Sequence, residues 1–481
     1  MDYTDVLFLH PSAHPSRPMY LAMPMGMISV MNRIKDLYSV RAINVGLEMS
    51  LQSDYQIQDE LKRIDFNIAA IDLHWHEHSF GSLELARLCK QINPECKVVL
   101  GGITASLFSE EIVSNHNCVD FIIKGDGEKP FFTLLEAIGR EHSEEKITKV
   151  SGITYFDQCD ITDNPVSWTT SNEDDEDYVD ITKLKHWEEY LKSNINFYSA
   201  HQCWRSYWLC IGKGCIHNCS FCGGGGAVHK RSFARPTTFF RSTEKVFRDL
   251  RRLSEIGVHV ANFSHDPQME GEEYWRSLFH KVKQGNLDIG GYIELDGLPE
   301  EDFIKEFANS FTPELSTLVI TPLCGNDEVR AKNGKKFKNV DLMRKINRLE
   351  DYSIPYVLYF AVGLPFDSEE SFNETISLAE KALFNPHLKM IFNTPLTLDP
   401  GSPMFCEPEN YGIFPHLKTF CDYYKRCKNR AEGKAYDSFG YHTDRLSNES
   451  MLHLMDKWNA FFEEKIPQIL ANSTSSRLNF L

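Results

Sequence analysis

Short apolar runs separated by helical patterns recur along this chain in two series, and that alternation does most to narrow its fold. In the first series the runs fall at 6–9, 40–45, 68–73, 98–100 and 121–124, with helical spacing over 27–37 and 83–92. Strands that alternate with helices form a parallel, doubly wound sheet, because the helices supply the long crossovers that parallel pairing needs. An N-terminal domain of this kind is expected over 1–145. Ligands on such sheets lie beyond the carboxyl ends of the strands. Glycines stand at those ends here, as Gly101-Gly102 and as Gly125-Asp126-Gly127-Glu128.

Residues 146–200 lack this rhythm and read as a linker. Within it 153–156 is a candidate arm of a small hairpin, and the acidic run 172–177 a solvated loop. The alternation resumes with apolar runs at 207–211, 258–263, 288–294, 318–322, 356–362 and 389–393. Six βα units over 201–404 point to a partial (β/α)6 barrel of the TIM type, with its chemistry at the carboxyl ends of the strands. The remainder, 405–481, reads as a small helical extension. Its helix, 451–466, is expected to stop at Pro467, which cannot continue the hydrogen-bond ladder.

Charge and cysteine usage narrow the function. The net charge is −17 with no Lys/Arg-rich stripe, which argues against a nucleic-acid surface. Thirteen cysteines, mostly scattered singly, fit a reducing compartment better than a disulfide framework. The first residues show no basic stretch before an apolar one, and no apolar run reaches membrane-spanning length. A cytoplasmic protein without a membrane partner is expected.

The loop after the first strand of the second series carries Gly214-Cys215-Ile216-His217-Asn218-Cys219-Ser220-Phe221-Cys222-Gly223. Three thiolates spaced in this way can converge on one iron–sulfur cluster. A [4Fe-4S] cluster needs four ligands, so three cysteines leave one iron open. A zinc site completed by His217, His229, Cys203 or Cys210, and a chance group of buried thiols, are the alternatives. The spacing resembles the signature of the radical S-adenosylmethionine (SAM) superfamily, down to Phe221 before the last cysteine. The resemblance implies that Cys215, Cys219 and Cys222 hold a [4Fe-4S] cluster whose open iron chelates SAM. An electron from the cluster then yields a 5′-deoxyadenosyl radical.

The N-terminal half carries a second resemblance. Pro24-Met25-Gly26-Met27, Gly101-Gly102-Ile103-Thr104-Ala105-Ser106 and Gly125-Asp126-Gly127-Glu128 fall in order in a Rossmann-like frame. They are similar to the cobalamin-binding domain of cobalamin-dependent (class B) radical SAM enzymes. Glycine allows close backbone approach to a bulky cofactor, although tight βα turns use the same residues. By this resemblance Met25, Gly26, Gly101, Gly102, Thr104, Gly125, Gly127 and Glu128 contact cobalamin. The DxHxxG motif of many corrinoid proteins is matched only in part, by Asp72 and His74 with Glu77 in the glycine position. His74 and Trp75 are expected to face the corrin, against the alternative of a hydrogen-bonded core histidine.

Further matches lie along the second series. The resemblance places Phe221 near adenine and Gly223 and Gly224 where the backbone approaches SAM. It also implies contacts to SAM from Asp266, Glu294, Arg330 and Gly363. Asp266 is alternatively a helix cap before Pro267, and Arg330 a surface salt bridge. Asp399-Pro400-Gly401-Ser402-Pro403 recurs in the cobalamin-dependent subgroup, and the pattern is close to the pyrrole C-methyltransferases of aminocoumarin biosynthesis. The resemblance implies methylation of an unactivated carbon of a small molecule, with a flavodoxin- or ferredoxin-type reductase as electron donor. No general base is required, so no catalytic side chain is named. A radical SAM oxidoreductase or cyclase without methyl transfer is the rival enzyme, and a non-catalytic metal-binding protein the rival of another class.

Overall fold

The computed structural model describes residues 2–14, 18–19, 21–139, 144–157, 160–192 and 204–474. The chain divides into two compact units. The first comprises 1–193, 226–237 and 417–437; the second comprises 194–225, 238–416 and 438–481.

The first unit is built on a seven-stranded sheet. Its strands are β1 (Asp2–His10), β2 (Val40–Asn44), β3 (Ile64–Asp72), β4 (Lys97–Gly101), β5 (Phe121–Ile123), β6 (Ile153–Asp157) and β7 (Asp160–Asp163), in the order β2-β1-β3-β4-β5-β6-β7. β1 to β5 pair in parallel, and β6 and β7 add antiparallel strands at one edge. Leu7, Leu9, Ala69, Ile71, Val98, Leu100 and Ile122 form its core with the flanking helices. Strands buried on both faces read as unbroken apolar runs, which is why they were visible in the sequence.

Three features of this unit differ from expectation. The 146–200 stretch is not a plain linker: its hairpin β6–β7 extends the sheet, while 193–200 lies outside the described residues. Within the acidic run, Glu176 is buried against Arg33 at 3.1 Å instead of being solvated. The helix Phe420–Ala431, from the expected C-terminal extension, packs on the helix Ser79–Ile92. It buries Phe420, Tyr423 and Cys427. Glu111 accepts the N–H groups of Phe420 and Cys421 at 2.8 and 3.0 Å, satisfying two donors at the helix start.

The second unit holds β8 (Ser206–Leu209), β9 (Gly212–Lys213), β10 (Phe239–Phe240), β11 (Val260–Phe263), β12 (Gly290–Leu295), β13 (Thr317–Leu323), β14 (Tyr356–Val362) and β15 (Leu388–Pro395). Six of these form a parallel sheet in the order β8-β11-β12-β13-β14-β15. Sequential neighbours in one parallel sheet are the order of a β/α barrel, and no strand pairing among the described residues joins β15 back to β8. The register sets Trp208, Asn262 and Tyr292 side by side, and Val319 beside Glu294 and Val357. Tyr292, Val319 and Val357 pack with the half-buried Trp208, Tyr359 and Phe392 on this face.

The last helix runs Asn448–Thr474, through Pro467 rather than ending there. A proline ring removes one hydrogen bond, and the carbonyl it leaves belongs to Glu463, an exposed residue. A helix already five turns long continues past such a loss.

Candidate functional site

In the second unit the cysteine loop follows β9 and is fixed from several directions. Gly214 has φ +85°, and its carbonyl lies 2.9 Å from Nε2 of His265. The other ring nitrogen, Nδ1, is 2.7 Å from Ser264 Oγ, which also accepts the Ile211 N–H at 3.1 Å. His265 therefore braces the loop entrance, with Nε2 carrying the proton because a carbonyl only accepts. Cys215 Sγ accepts the His217 N–H at 3.3 Å, and Cys222 Sγ the Gly224 N–H at 3.4 Å. Ser220 hydrogen-bonds Asn333, and its carbonyl accepts the Met404 N–H at 2.9 Å.

Close approach makes glycine necessary at two places. A Cβ on Gly223 would sit 2.4 Å from the Pro400 carbonyl oxygen, and the Gly223 N–H donates to Asp399 Oδ2 at 2.8 Å. Gly334, at φ +100°, lies against Cys219, where a Cβ would come within 3.2 Å of Sγ. Gly224 is different: its Cβ would meet nothing nearer than Cys222 Sγ at 3.8 Å.

Burial pushes all three cysteine thiols up, Cys222 to about 12 with Asp399 adding to the effect. The Lys335 ammonium opposes this at Cys215 and Cys219. A thiol that resists ionisation is inert until a metal displaces its proton, so this loop becomes a thiolate set only on loading. The donor set of three cysteines on one braced loop fits an iron–sulfur cluster with one open iron. Cys203, a conceivable fourth ligand, lies outside the described residues, and the Cys210 thiol donates to the Gly212 carbonyl at 3.4 Å.

Around this loop the expected SAM contacts separate into two groups. Glu294, near the end of β12 on the same face as Tyr292, is exposed, and its Oε1 accepts the Tyr292 hydroxyl at 3.0 Å. The surrounding protein pushes its carboxyl up, while Lys335 pulls it down. Gly363 has φ +95°, and its carbonyl accepts the Tyr441 hydroxyl at 2.6 Å. Phe221 packs against Leu323, Cys324, Val329, Ala361 and Leu364, so much of its ring is core.

Arg330 requires a correction. It is fully buried, and its guanidinium donates to the carbonyls of Pro322, Cys324 and Phe337 and to Asp327 and Asn339. A fork engaged in this way has no bidentate face to offer a carboxylate. Asp266, almost fully buried, caps the turn Pro267–Glu270 through Gln268 N–H at 2.9 Å and also accepts the Asp296 N–H at 3.1 Å. Burial raises its carboxyl to about 6. The cation that the sequence did not single out is Lys335, whose Nζ donates to the Asp296 carbonyl at 2.5 Å and whose charge acts on Cys215, Cys219 and Glu294.

In the first unit, the strand-end loops form one connected surface. Gly102, at φ +116°, lies against the loop after β3: a Cβ there would be 2.6 Å from His74 N and Cα. Thr104 donates to the His74 carbonyl from both N–H, at 3.1 Å, and Oγ1, at 2.9 Å. Ser106 Oγ accepts the Gly125 N–H at 3.2 Å, tying in the loop after β5. Trp75 leaves 38% of its surface exposed, edge-on to His74 at 4.8 Å. A Cβ on Gly26 or Gly101 would meet no atom within 4 Å. Open backbone at Gly26 and Gly101 and the exposed ring of Trp75, each at or beyond the end of a strand of this sheet, suit a broad flat ring such as a corrin.

Two residues of the expected set turn inward. Glu128 is fully buried, accepting the Ser29 hydroxyl at 2.6 Å, with Thr170 and Tyr178 at 3.4 Å. It ties the helix Met25–Ile34 to the Gly127 turn and is not presented to a ligand. Thr104 is also buried and acts through His74. Glu77, in the glycine position of the corrinoid motif, meets Arg426 and Arg430 at 3.1 and 2.5 Å. Asp72 Oδ1 accepts the His74 N–H at 3.1 Å.

Family models match both units: the radical SAM superfamily over residues 209–379 and the B12 binding domain over residues 20–135. The chain belongs to the cobalamin-dependent radical SAM enzymes. Its cofactors are SAM, a [4Fe-4S] cluster and cobalamin. Among the relatives of this radical SAM chain, an uncharacterized methyltransferase of Pyrococcus horikoshii is 21% identical over 370 residues, covering 74% of this chain and 73% of that protein. The hopanoid C-3 methylase of Methylococcus capsulatus is 23% identical over 299 residues, covering 61% of this chain and half of that protein (50%). In fold, the chain is similar to the radical SAM methyltransferase TsrM of Kitasatospora setae, solved with cobalamin and a [4Fe-4S] cluster. The TM-score is 0.65 at 14% identity, covering 86% of this chain and 80% of that one. No helix among the described residues is long and apolar enough to cross a membrane.

Proposed function

We propose that this chain methylates an unactivated carbon of a small molecule. One observation carries the reading: a braced three-cysteine loop in one unit and a glycine-lined strand-end surface in the other belong to a single polypeptide. When bound, the cofactors supply one-electron cleavage of SAM and carriage of a methyl group. The protein's own part is to hold and orient. Cys215, Cys219 and Cys222 provide three thiolates and leave one iron open. Lys335 and Glu294 set opposite charges beside that loop, suited to the carboxylate and the ribose hydroxyls of SAM respectively. Gly26, Gly101 and Trp75 offer the flat surface for the corrin. Support for methyl transfer comes from the methyltransferases among the relatives in sequence and fold. A flavodoxin- or ferredoxin-type reductase as donor, and a cytoplasmic setting, complete the reading.

The test is anaerobic reconstitution with iron, sulfide and hydroxocobalamin, followed by a substrate screen with SAM and a reductant. Methylation adds a methylene's mass to the product and releases S-adenosylhomocysteine together with 5′-deoxyadenosine. A product oxidised or cyclised without gain of a methyl would favour the oxidoreductase or cyclase. Zinc without iron in the loaded protein would sink the enzymatic reading.

A further inference from the structure

Three ligating side chains meet inside the first unit, apart from the cysteine loop. His10 is the last residue of β1, Asp72 the last of β3, and His78 ends the single turn His76–His78. β1 and β3 are hydrogen-bonded neighbours, so the two strand ends bring His10 and Asp72 together without any loop freedom. The relative exposures are 0%, 5% and 0%, so the group is enclosed by protein. One ligand atom from each of the three lies within 4.8 Å of the others.

The spacing discriminates between two uses of this group. His10 Nδ1 stands 3.1 Å from Asp72 Oδ2, and His78 Nδ1 stands 3.6 Å from the same oxygen. The first distance suits a hydrogen bond, but the second is too long for one. Both suit a coordination polyhedron: ligands about 2.0–2.1 Å from a tetrahedral ion lie about 3.3–3.4 Å from one another. The two imidazoles stand at 87° with centroids 5.0 Å apart. The other carboxylate oxygen, Oδ1, is occupied by the His74 N–H at 3.1 Å, which orients Oδ2 toward the histidines as outer hydrogen bonds orient metal-ligating carboxylates.

We propose that His10, Asp72 and His78 bind a divalent cation of the zinc class, with an exogenous oxygen completing the coordination. Two imidazoles and one carboxylate are a borderline donor set suited to zinc and its first-row neighbours, and poorly suited to calcium or magnesium. Three protein ligands plus one water is an established zinc arrangement. The ion would tie the ends of β1 and β3 at the point where strand order reverses. It would thereby stiffen the loop that carries His74 and Trp75. The site stands on its own geometry and does not depend on the methyltransferase reading.

The experiment must keep zinc from the cysteine loop. The full-length C215A/C219A/C222A chain is stripped with chelator, dialysed against zinc, and analysed for bound metal. About one zinc per chain is expected. Adding H10A or H78A should abolish it, and adding D72N, which trades the ligating carboxylate for a neutral amide, should drop occupancy well below one zinc per chain. Stoichiometric zinc that survives H10A and H78A, or no stoichiometric zinc in the cysteine-free chain, would overturn the site. If the cysteine-free chain fails to fold, zinc-edge X-ray absorption on the cluster-loaded wild-type chain decides instead. A nitrogen and oxygen shell with imidazole scattering supports the proposal, and sulfur ligands or absent zinc refute it.

Discussion

The backbone N–H of Gly223, one residue past the last cysteine, donates to Asp399 Oδ2 at 2.8 Å, and the position has no room for a side chain. The loop after β15 thus clamps the cysteine loop directly. Gly223→Ala drives a methyl group to 2.4 Å from the Pro400 carbonyl, which is backbone and cannot rotate away. Such overpacking costs about 1–3 kcal/mol and displaces the loop. Iron and sulfide content after reconstitution should drop sharply in this variant. Gly224→Ala, with 3.8 Å to its nearest neighbour, should retain the wild-type content. Equal iron in both variants would show that the clamp does not position the cysteines.

The two cations near the cysteine loop should behave oppositely. Arg330 is buried and fully engaged, so Arg330→Ala removes its charged hydrogen bonds to the carbonyls of Cys324 and Phe337 and should cost about 1.5–3 kcal/mol, read as a lower Tm. Lys335→Met removes a charge that faces Cys215, Cys219 and Glu294. A lost charged hydrogen bond of about 1.5–3 kcal/mol corresponds to SAM binding roughly 10–100-fold weaker. Equilibrium binding of SAM to the cluster-loaded chain, beside thermal melts, separates the two. Unchanged SAM affinity in Lys335→Met would remove Lys335 from the proposed contacts.

These two cations also mark the limit of what the sequence carries. The parallel strands were legible because strands buried on both faces are unbroken apolar runs, and the cysteine loop because ligand spacing is local. Arg330 and Glu128 misled for one reason: a charged residue in a motif looks the same whether it meets a ligand or is sealed in the core. His265 and Lys335 were invisible because their partners, Gly214 and Asp296, lie 51 and 39 residues away. The helix Phe420–Ala431 shows its apolar face in sequence, but nothing local says that this face packs on the helix Ser79–Ile92 of the first unit.

Glycines at the strand ends of the first unit divide into structural and ligand-facing positions. Gly102→Ala sets a Cβ into the His74 backbone at φ +116°, so it should destabilise the unit and lower its Tm. Gly101→Leu meets open space and should leave the Tm unchanged. If the surface receives cobalamin, Gly101→Leu should nevertheless weaken hydroxocobalamin binding at least tenfold. Full cobalamin retention by this variant would move the corrin away from Gly101.

Acid should loosen the helix Phe420–Ala431 from the first unit through Glu77. Burial alone would raise this carboxyl, but the charges of His76, Arg426 and Arg430 outweigh it and bring it from 4.5 to about 2. A carboxylate held below its unfolded value contributes stability that is complete above about pH 4.5 and is lost as pH falls toward 2. Glu77→Gln removes that contribution at every pH and leaves two arginines, Arg426 and Arg430, without their carboxylate. At neutral pH it should cost about 3–5 kcal/mol. Between pH 4.5 and 2 the variant should lose less stability than the wild type, because the titrating group is gone. Urea unfolding at a series of pH values gives both slopes. Parallel slopes for the two chains would mean that Glu77 is not the acid-sensitive anchor of this helix.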